Sequence, residues 1–243
     1  MKNKNIISPV VEQIDTKGTT HIQTTKTNYY DWGNNIIEPI TIQTKQGTNP
    51  IFETRINYVF NTKGNVVSAY KENDIRTSYI WGYNDTYPIA KAVNAKHTDL
   101  IHTSFEDANG VYDSNCKTGR KVRKTAFYYS IGGLSNGSYI LTYWKRSGGI
   151  WSLQTVSITK DSGSAPNRYI QASSVNPIDE VRLYPAMSLM TTYTYDPLIG
   201  MTSSTDENNK TTYFEYDTFG RLKNIQDQDL LKMQEYIYHY KQQ

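Results

Sequence analysis

A Tyr-Asp pair recurs near the end of the chain at a fixed interval, and this repeat limits the possible folds more than any other feature. Tyr195-Asp196 and Tyr216-Asp217 are 21 residues apart, and Asp206 and Asp227 keep the same spacing. A period near 21 residues fits a β-hairpin of two short strands and two turns. The repeat therefore predicts stacked hairpins in this part of the chain.

The second copy of the repeat reads as strand, turn and return strand. In "TYFEYD" (212–217), alternate residues share one face because side chains in a strand have a period of two. "DTFG" (217–220) predicts a turn, in which Asp accepts a hydrogen bond and Gly supplies a positive φ. In "RLKNIQD" (221–227) the apolar residues do not alternate strictly, which predicts a bulge or twist. "INYVFNTKGNVVSAYKEN" (56–73) has the same layout.

The composition favours strands over helices. The chain has 21 Tyr residues among 243, and Tyr and Thr suit half-buried strands, where the ring packs and the hydroxyl stays hydrated. Charged residues make up 20% and hydrophobic residues 37%, which is typical of a folded domain and not of a disordered chain. We therefore predict an all-β protein.

Charge and cysteine content exclude several classes of function. The net charge of +3 is too small to indicate a nucleic-acid partner, and we expect the basic run at 117–124 to protect a strand edge instead of binding phosphate. A single cysteine, Cys116, allows neither an internal disulfide nor a cysteine-based metal cage.

We also expect no membrane span, because no run of about 18 apolar residues occurs. The N-terminal "MKNKNIISPVVEQ" lacks the apolar stretch of a signal peptide. The chain is therefore expected either to stay inside the cell or to be a piece of a longer exported protein.

The Tyr-Asp…Gly-Arg-Leu…Asp units resemble the YD repeats of the Rhs family of bacterial exported proteins. "TSYIWGYNDTYPIAKAVNA" (77–95) resembles a recurrent stretch of large Rhs-type proteins from gliding, polymer-degrading bacteria. The resemblance implies hairpins wound into a spiral sheet, often a hollow shell around a C-terminal toxin. It also implies a secreted or cell-surface location and, as partner, the remainder of a longer Rhs-type chain.

The middle of the chain lacks the 21-residue rhythm and resembles a jelly-roll β-sandwich of the carbohydrate-binding-module type, with a galactose-binding-like fold. The matching features are Phe105-Glu106, "TGRK" (118–121), "YILTY" (139–143) and "IDEV" (178–181). "SGG" (147–149) predicts a turn between two of its strands. We therefore expect YD-type hairpins in 1–98, the sandwich in 99–185 and further hairpins in 186–243.

The resemblance to such modules also supplies candidate binding residues. It implies a structural calcium ion held by Glu106 and Asp179, with Asp107 as a further ligand, although surface carboxylates without an ion are the alternative. Sugar binding would use exposed aromatic rings, and the candidates are Trp144, Trp151, Tyr128 and Tyr129. Each ring could instead belong to the core, and Trp151, after the Gly-Gly turn, is the best candidate for exposure.

The sequence offers little evidence for catalysis. Residues 133–137 (GLSNG) match the G-x-S-x-G nucleophile elbow, but a strand pattern follows where a helix is required, so we expect a hairpin loop. The four histidines have no metal-ligand spacing. Asp179 and Glu180, adjacent on a strand, are expected on opposite faces. The repeated aspartates favour turn capping.

We therefore predict no enzyme, but a non-catalytic segment of an exported Rhs/YD-repeat protein. Its sandwich either binds a polysaccharide or cell-surface glycan or is purely structural. A shell segment of an Rhs toxin carrier is the alternative.

Overall fold

The structure, a computed structural model, describes residues 6–107 and 109–239. These residues form twenty β-strands and one short 3-10 turn, His97–Asp99, with no α-helix among them. The prediction of an all-β protein is confirmed. The chain divides into two compact units, Met1–Tyr79 and Ile80–Gln243, and each is described by itself.

The first unit is a run of consecutive antiparallel strands. They are β1 (Glu12–Lys17), β2 (Thr20–Asp31), β3 (Ile37–Gln46), β4 (Glu53–Phe60), β5 (Val66–Tyr70) and the start of β6 (Thr77–Gly82). Each strand pairs with the next one along the chain. The turn between β4 and β5 falls on the predicted "NTKG" sequence (61–64).

The buried side chains of the first unit are those of threonine and serine. Thr24, Thr44, Ser68 and Ser78 are buried, and the Ser68 and Ser78 hydroxyls lie 2.6 Å apart across β5 and β6. Among residues 6–79, no hydrophobic side chain reaches the same degree of burial. The aromatic side chains instead form half-buried contacts, such as Trp32 with Phe60 at 5.8 Å between ring centroids.

The second unit includes β7 (Tyr87–Val93) and then several small sheets. Their strands are β8 (Ile101–Thr103), β9 (Val111–Tyr112), β10 (Lys121–Val122), β11 (Phe127–Ser130), β12 (Gly137–Ser147), β13 (Ile150–Lys160), β14 (Asn167–Ile170) and β15 (Ile178–Pro185). One sheet has the order β13-β12-β15-β8, and β9–β10 and β11–β14 form two-stranded sheets. The predicted turn at Gly148-Gly149 joins β12 to β13, whose ends pair at Ser147 and Ile150.

The main hydrophobic core lies between the four-stranded sheet and the β11–β14 pair. Alternate residues of β12 and β15 face it, and Ile170 on β14 closes it from the other side. The buried members include Phe105, Ile131, Tyr139, Leu141, Ile170, Val181 and Leu183. The period of two along β12 and β15 explains why one face of these strands is apolar.

The remaining strands form a hairpin meander. They are β16 (Leu189–Asp196), β17 (Gly200–Thr205), β18 (Thr211–Tyr216), β19 (Leu222–Gln226) and β20 (Lys232–Glu235). β16 pairs with β7, so the strands before and after the small sheets are neighbours. The pairing of β18 with β19 shifts register between Glu215 and Tyr216, which is the irregularity that the uneven apolar spacing predicts.

A second cluster packs the outer face of the four-stranded sheet against β7 and β16. Ile140 and Tyr184 come from the sheet, and Ala90, Ala92 and Met190 from the other strands. Beside it, Arg182 is almost fully buried and donates to the carbonyl oxygens of Met190 (3.1 Å) and Asp206 (2.9 Å). Because an unsatisfied buried guanidinium is costly, these bonds fix β15 against the meander.

Candidate functional site

A cleft of about 400 Å³ opens where the outer face of the four-stranded sheet meets the last hairpins of the second unit. Its lining includes Asn115, Lys117, Trp144, Trp151, Tyr213 and Asp229. The structure thus brings together Trp144 and Trp151, two of the four rings that the sequence indicates for sugar binding. The cleft is therefore the candidate functional site.

The two tryptophans reach the cleft from neighbouring strands. Trp144 lies on β12, opposite Leu153 of β13 and Asp179 of β15. Trp151 lies on β13, directly opposite Arg146, two residues after the Gly-Gly turn. The Arg146 guanidinium is 5.4 Å from the centre of the Trp151 ring, within the range of a cation–π contact.

Hydrogen bonds and an ion cluster hold the Trp151 ring in place. Its Nε1 donates to Asn115 Oδ1 at 3.0 Å. Arg146 donates to both carboxylate oxygens of Asp113, at 2.8 and 2.9 Å, and Lys124 Nζ is 2.9 Å from the same carboxylate. These cations hold the pKa of Asp113 well below its ordinary value, chiefly through the Arg146 bonds. The ring is thus positioned before any ligand arrives.

Lys117 forms the inner wall of the cleft. Its side chain is only 8% exposed, and its ammonium lies 4.3 Å from the centre of the Trp144 ring and 5.8 Å from that of Tyr213. Burial lowers the pKa of Lys117. The Tyr213 hydroxyl donates to the backbone oxygen of Lys117 at 2.8 Å, which joins β18 to this loop.

The carboxylates predicted to bind calcium instead accept hydrogen bonds from backbone N–H groups. Glu106 Oε1 accepts from Arg120 N and Lys121 N, both at 2.8 Å. Asp179 Oδ2 accepts from Lys117 N and Thr118 N, both at 3.0 Å. Asp179 and Glu106 therefore hold the two ends of the loop at residues 117–121.

The third predicted ligand points elsewhere, and the set does not fit a calcium site. Asp107 Oδ2 accepts from Tyr83 N at 2.7 Å. Calcium needs about six to eight oxygen ligands, whereas these oxygens face N–H donors. Within the described residues, no group of three or more His, Cys, Asp or Glu side chains could hold a metal ion. This geometry gives calcium binding no support, so calcium binding stays a prediction.

Gly119 allows the loop to close over Glu106. Its φ of 58° belongs to the left-handed region, and a Cβ there would clash with Glu106 Oε1. Any other residue would push the carboxylate away from the N–H groups of Arg120 and Lys121. The glycine of the "TGRK" sequence (118–121) is thus required because the Glu106 carboxylate packs directly against it.

Asp179 and Glu180 do not lie on opposite faces, and that prediction is wrong. The pairing of β15 with β12 shifts register between Thr142 and Trp144, and Glu180 has a φ of 51°. Both carboxylates consequently reach Thr118, where Asp179 accepts from its N–H and Glu180 from its hydroxyl at 3.2 Å. The bulge breaks the alternation on which the prediction depended. Burial raises the pKa of Asp179 well above its ordinary value.

The two tyrosine candidates lie away from the cleft, on β11. Tyr128 is 72% exposed and its ring lies 5.8 Å from that of Tyr169, its partner on β14. Tyr129 points the other way and packs against the main core. The four predicted rings thus divide into a pair in the cleft, one exposed ring and one ring against the core.

The recurring aspartates lie at turns, as their period predicts. Asp206, Asp217 and Asp227 each accept two hydrogen bonds through Oδ1, from the backbone N–H groups two and four residues later, at 2.8–3.0 Å. Asn61 makes the same pair of bonds at the turn before β5. Asp196 differs, because its carboxylate pairs with Arg120.

The G-x-S-x-G match lies in a loop that leads into β12. The loop does not close a hairpin as predicted, because β11 before it pairs with β14 while β12 pairs with β13 and β15. Ser135 N donates to Asp99 Oδ1 at 2.7 Å, and the strand begins at Gly137. A nucleophile elbow needs a helix at this point, so the geometry offers no support for one.

Sequence reasoning missed Lys117, Tyr213 and Asn115 as parts of the cleft. Lys117 belongs to a run that reads as a charged strand edge, and Tyr213 belongs to a repeat far away in the chain. The only local signal was the apolar pattern on both faces of "YILTYW" (139–144), which indicated that one face of β12 had to meet a further layer.

Comparisons with known proteins do not assign the chain to a family. No protein-family model matches the chain, and no curated protein matches it. Two of the solved chains that match are similar over most of its length. One, from the crystal structure of TcdB2-TccC3-Cdc42, has 11% identity and a TM-score of 0.24, and the match covers 90% of this chain and 10% of that one.

The other solved chain comes from the crystal structure of TcdB2-TccC3 without the hypervariable C-terminal region. It has 11% identity and a TM-score of 0.19, with 93% of this chain and 12% of that chain covered. This chain therefore spans about a tenth of the length of the solved chains it matches. Likenesses with TM-scores this low carry no argument about the family.

Proposed function

We propose that the chain is a non-catalytic structural segment of a longer exported protein of the Rhs/YD-repeat type. The observation that carries this proposal is the repeated turn of Asn61, Asp206, Asp217 and Asp227, in which the side-chain oxygen binds two backbone N–H groups. A side-chain oxygen used in this way at four positions is a turn element, whereas catalysis needs one distinct constellation.

The edge of the meander supports a role as part of a larger sheet. All four residues of β20 are exposed, and within the described residues this strand pairs only with β19. An open edge presents unpaired N–H and C=O groups that suit a further strand. The partner we propose is the remainder of a longer Rhs-type chain, in a secreted or cell-surface protein.

Paired substitutions at two turns test the structural role. Asp206→Asn with Asp227→Asn keeps an oxygen acceptor at both turns, whereas Asp206→Ala with Asp227→Ala removes it. We expect the alanine pair to lower the free energy of unfolding by about 2 kcal/mol, about 1 kcal/mol for each lost cap, and the asparagine pair to stay near the wild type. Equal stability of both pairs in thermal melts would argue against the turn role.

A second function, glycan binding, is favoured by the position of Trp144 and Trp151 in one cleft. Sugar rings stack their apolar faces on aromatic rings while nearby polar groups bind the hydroxyls. A glycan array with the full chain and with Trp151→Ala tests this. We expect a saccharide that binds the wild type and loses most of its signal with the variant; binding that Trp151→Ala leaves unchanged would place it elsewhere.

A further inference from the structure

The cleft contains a largely buried lysine whose ammonium has no hydrogen-bond acceptor among the described residues. Among the described residues, the Lys117 ammonium forms neither a hydrogen bond nor an ion pair, and its close contacts are the faces of Trp144 and Tyr213. A cation–π contact compensates only part of the hydration that a buried ammonium loses. An oxygen atom from outside the protein would supply what is missing.

A second donor on the same wall is also unsatisfied. Trp144 Nε1 is buried and has no acceptor among the described residues. Buried polar atoms without partners are rare in folded proteins, and they call for an explanation wherever they occur. Trp144 Nε1 and the Lys117 ammonium, on side chains that touch one another at the wall of one cleft, are two donors that a ligand rich in oxygen acceptors would satisfy.

Acidic groups around Lys117 argue against an anionic ligand. Asp229, Asp179 and Glu180 all act on the lysine electrostatically, and each raises its pKa against the larger effect of burial. The neighbouring arginines are already paired, Arg146 with Asp113 and Arg120 with Asp196. A carboxylate or phosphate ligand would therefore face more acidic side chains than unpaired basic ones.

Asp229 lines the same cleft as Lys117, yet the structure records no ion pair between them within 4.0 Å. A hydroxyl group can accept a hydrogen bond from an ammonium and donate one to a carboxylate at the same time. Gln228 offers a further amide group in the lining of the cleft.

We propose that the cleft binds a neutral saccharide, packed against Trp151, with one hydroxyl group between the Lys117 ammonium and the Asp229 carboxylate. This inference rests on the proposed glycan-binding function and names its ligand class. The hydroxyl accepts a hydrogen bond from Lys117 and donates one to Asp229, so both charges are solvated in the bound state. Trp151, held by Asn115 and Arg146, supplies the apolar surface.

Calorimetric titration of the full chain with defined oligosaccharides tests the ligand class. The neutral probes are the trimers of β-1,4-glucose, β-1,3-glucose, β-1,4-xylose, β-1,4-mannose and β-1,4-galactose, and the acidic probe is trigalacturonate. We expect at least one neutral trimer to bind more tightly than trigalacturonate, with an affinity insensitive to added NaCl. Tighter binding of trigalacturonate would overturn the neutral class but keep glycan binding, and no heat with any probe would overturn both.

Variants of the cleft test the hydroxyl bridge with the neutral trimer that binds best. Lys117→Met keeps the apolar stem on Trp144, and Asp229→Ala changes an exposed side chain, so both variants should fold. We expect each to weaken binding about tenfold and the double variant little more, because both residues hold one hydroxyl. Lys91→Met and Glu207→Ala, exposed charges of the same unit, serve as matched controls.

Either of two results would contradict the bridge. One is unchanged affinity in Lys117→Met or Asp229→Ala when the thermal melt matches the wild type. The other is a strictly additive loss in the double variant, which would show that the two residues bind different groups.

Discussion

At the scale of single residues, His102 is the group whose charge most directly opposes folding. It is buried on β8, its Nδ1 lies 3.0 Å from the Val181 carbonyl oxygen, and its Nε2 has no partner among the described residues. Burial lowers its pKa, the neighbouring Arg182 lowers it further, and Glu180 opposes this effect. The imidazole is therefore neutral in the folded protein near pH 7.

This lowered pKa predicts a loss of stability in mild acid. The unfolded chain binds a proton near the ordinary histidine pKa of about 6.5, while the folded chain binds it only at lower pH. The contribution of His102 is thus fully present above about pH 6.5 and falls by up to about 1.4 kcal/mol per pH unit below it. Urea unfolding at pH 7 and pH 5.5 measures the effect.

His102→Phe should remove this part of the pH dependence, whatever it does to stability at pH 7. Glu106 and Asp179 titrate in the opposite sense, because burial raises the pKa of both. The comparison of variant with wild type cancels their contribution. An identical pH dependence in both proteins would show that His102 has the same pKa in the folded and the unfolded chain, which would contradict the lowered pKa.

At the scale of elements, the hairpin turns depend on one left-handed residue each. Gly220 has a φ of 71°, and a Cβ there would meet no atom within 4 Å. Gly220→Ala therefore costs only the conformational strain, and we expect the free energy of unfolding to fall by about 1 kcal/mol. Gly163→Ala is the matched control, since Gly163 lies in a turn without a positive φ.

Equal melting temperatures for Gly220→Ala and the control would contradict the left-handed turn at 217–220. Gly220→Asn should lie between the two, because Asn tolerates this backbone conformation better than Ala. Asn209, which occupies the same turn position before β18 with a φ of 63°, shows that the fold accepts this residue.

The strands and turns were predictable where the chemistry is local. Asp and Gly in "DTFG" (217–220) set a turn, alternate apolar residues set β18, and the uneven spacing of Leu222 and Ile225 indicated the bulge. The bulge at Glu180 could not be predicted, because adjacent Asp and Glu residues give no pattern. The cleft was only half predicted, since Trp144 and Tyr213 both pack against Lys117, an arrangement that no spacing in the sequence encodes.

The layer of small hydroxyl side chains also escaped prediction. Thr194 and Ser203 hydroxyls lie 2.6 Å apart, and those of Thr205 and Thr211 3.1 Å apart, all buried in the meander. In the sequence such residues read as the polar face of a half-exposed strand. They are buried because cross-strand hydrogen bonds satisfy their hydroxyls.

At the scale of the whole molecule, the two units differ in how they are stabilised. Every hydrophobic side chain that is fully buried among the described residues belongs to the second unit. The first unit depends on paired strands and half-buried rings, which gives it less apolar burial per residue. No described residue belongs to a helix long and apolar enough to cross a membrane.

This difference predicts the order in which the units open. Limited proteolysis of the full chain should cut within residues 1–79 first and leave a resistant fragment that begins near Ile80. Mass spectrometry of the early fragments identifies the sites. First cuts within β12–β15 would contradict the assignment of the main core to the four-stranded sheet.

Recurring acidic residues build the turns of the stacked hairpins in this chain. Hydrogen exchange of the amides that Asp206 and Asp227 bind tests it most directly, in the wild type and in the Asp206→Ala, Asp227→Ala pair. We predict that the exposed N–H groups of Asn208, Lys210, Asp229 and Leu231 exchange slowly in the wild type and much faster in the variant. If these N–H groups exchange in the wild type as fast as in an unstructured chain, the aspartates do not hold the turns.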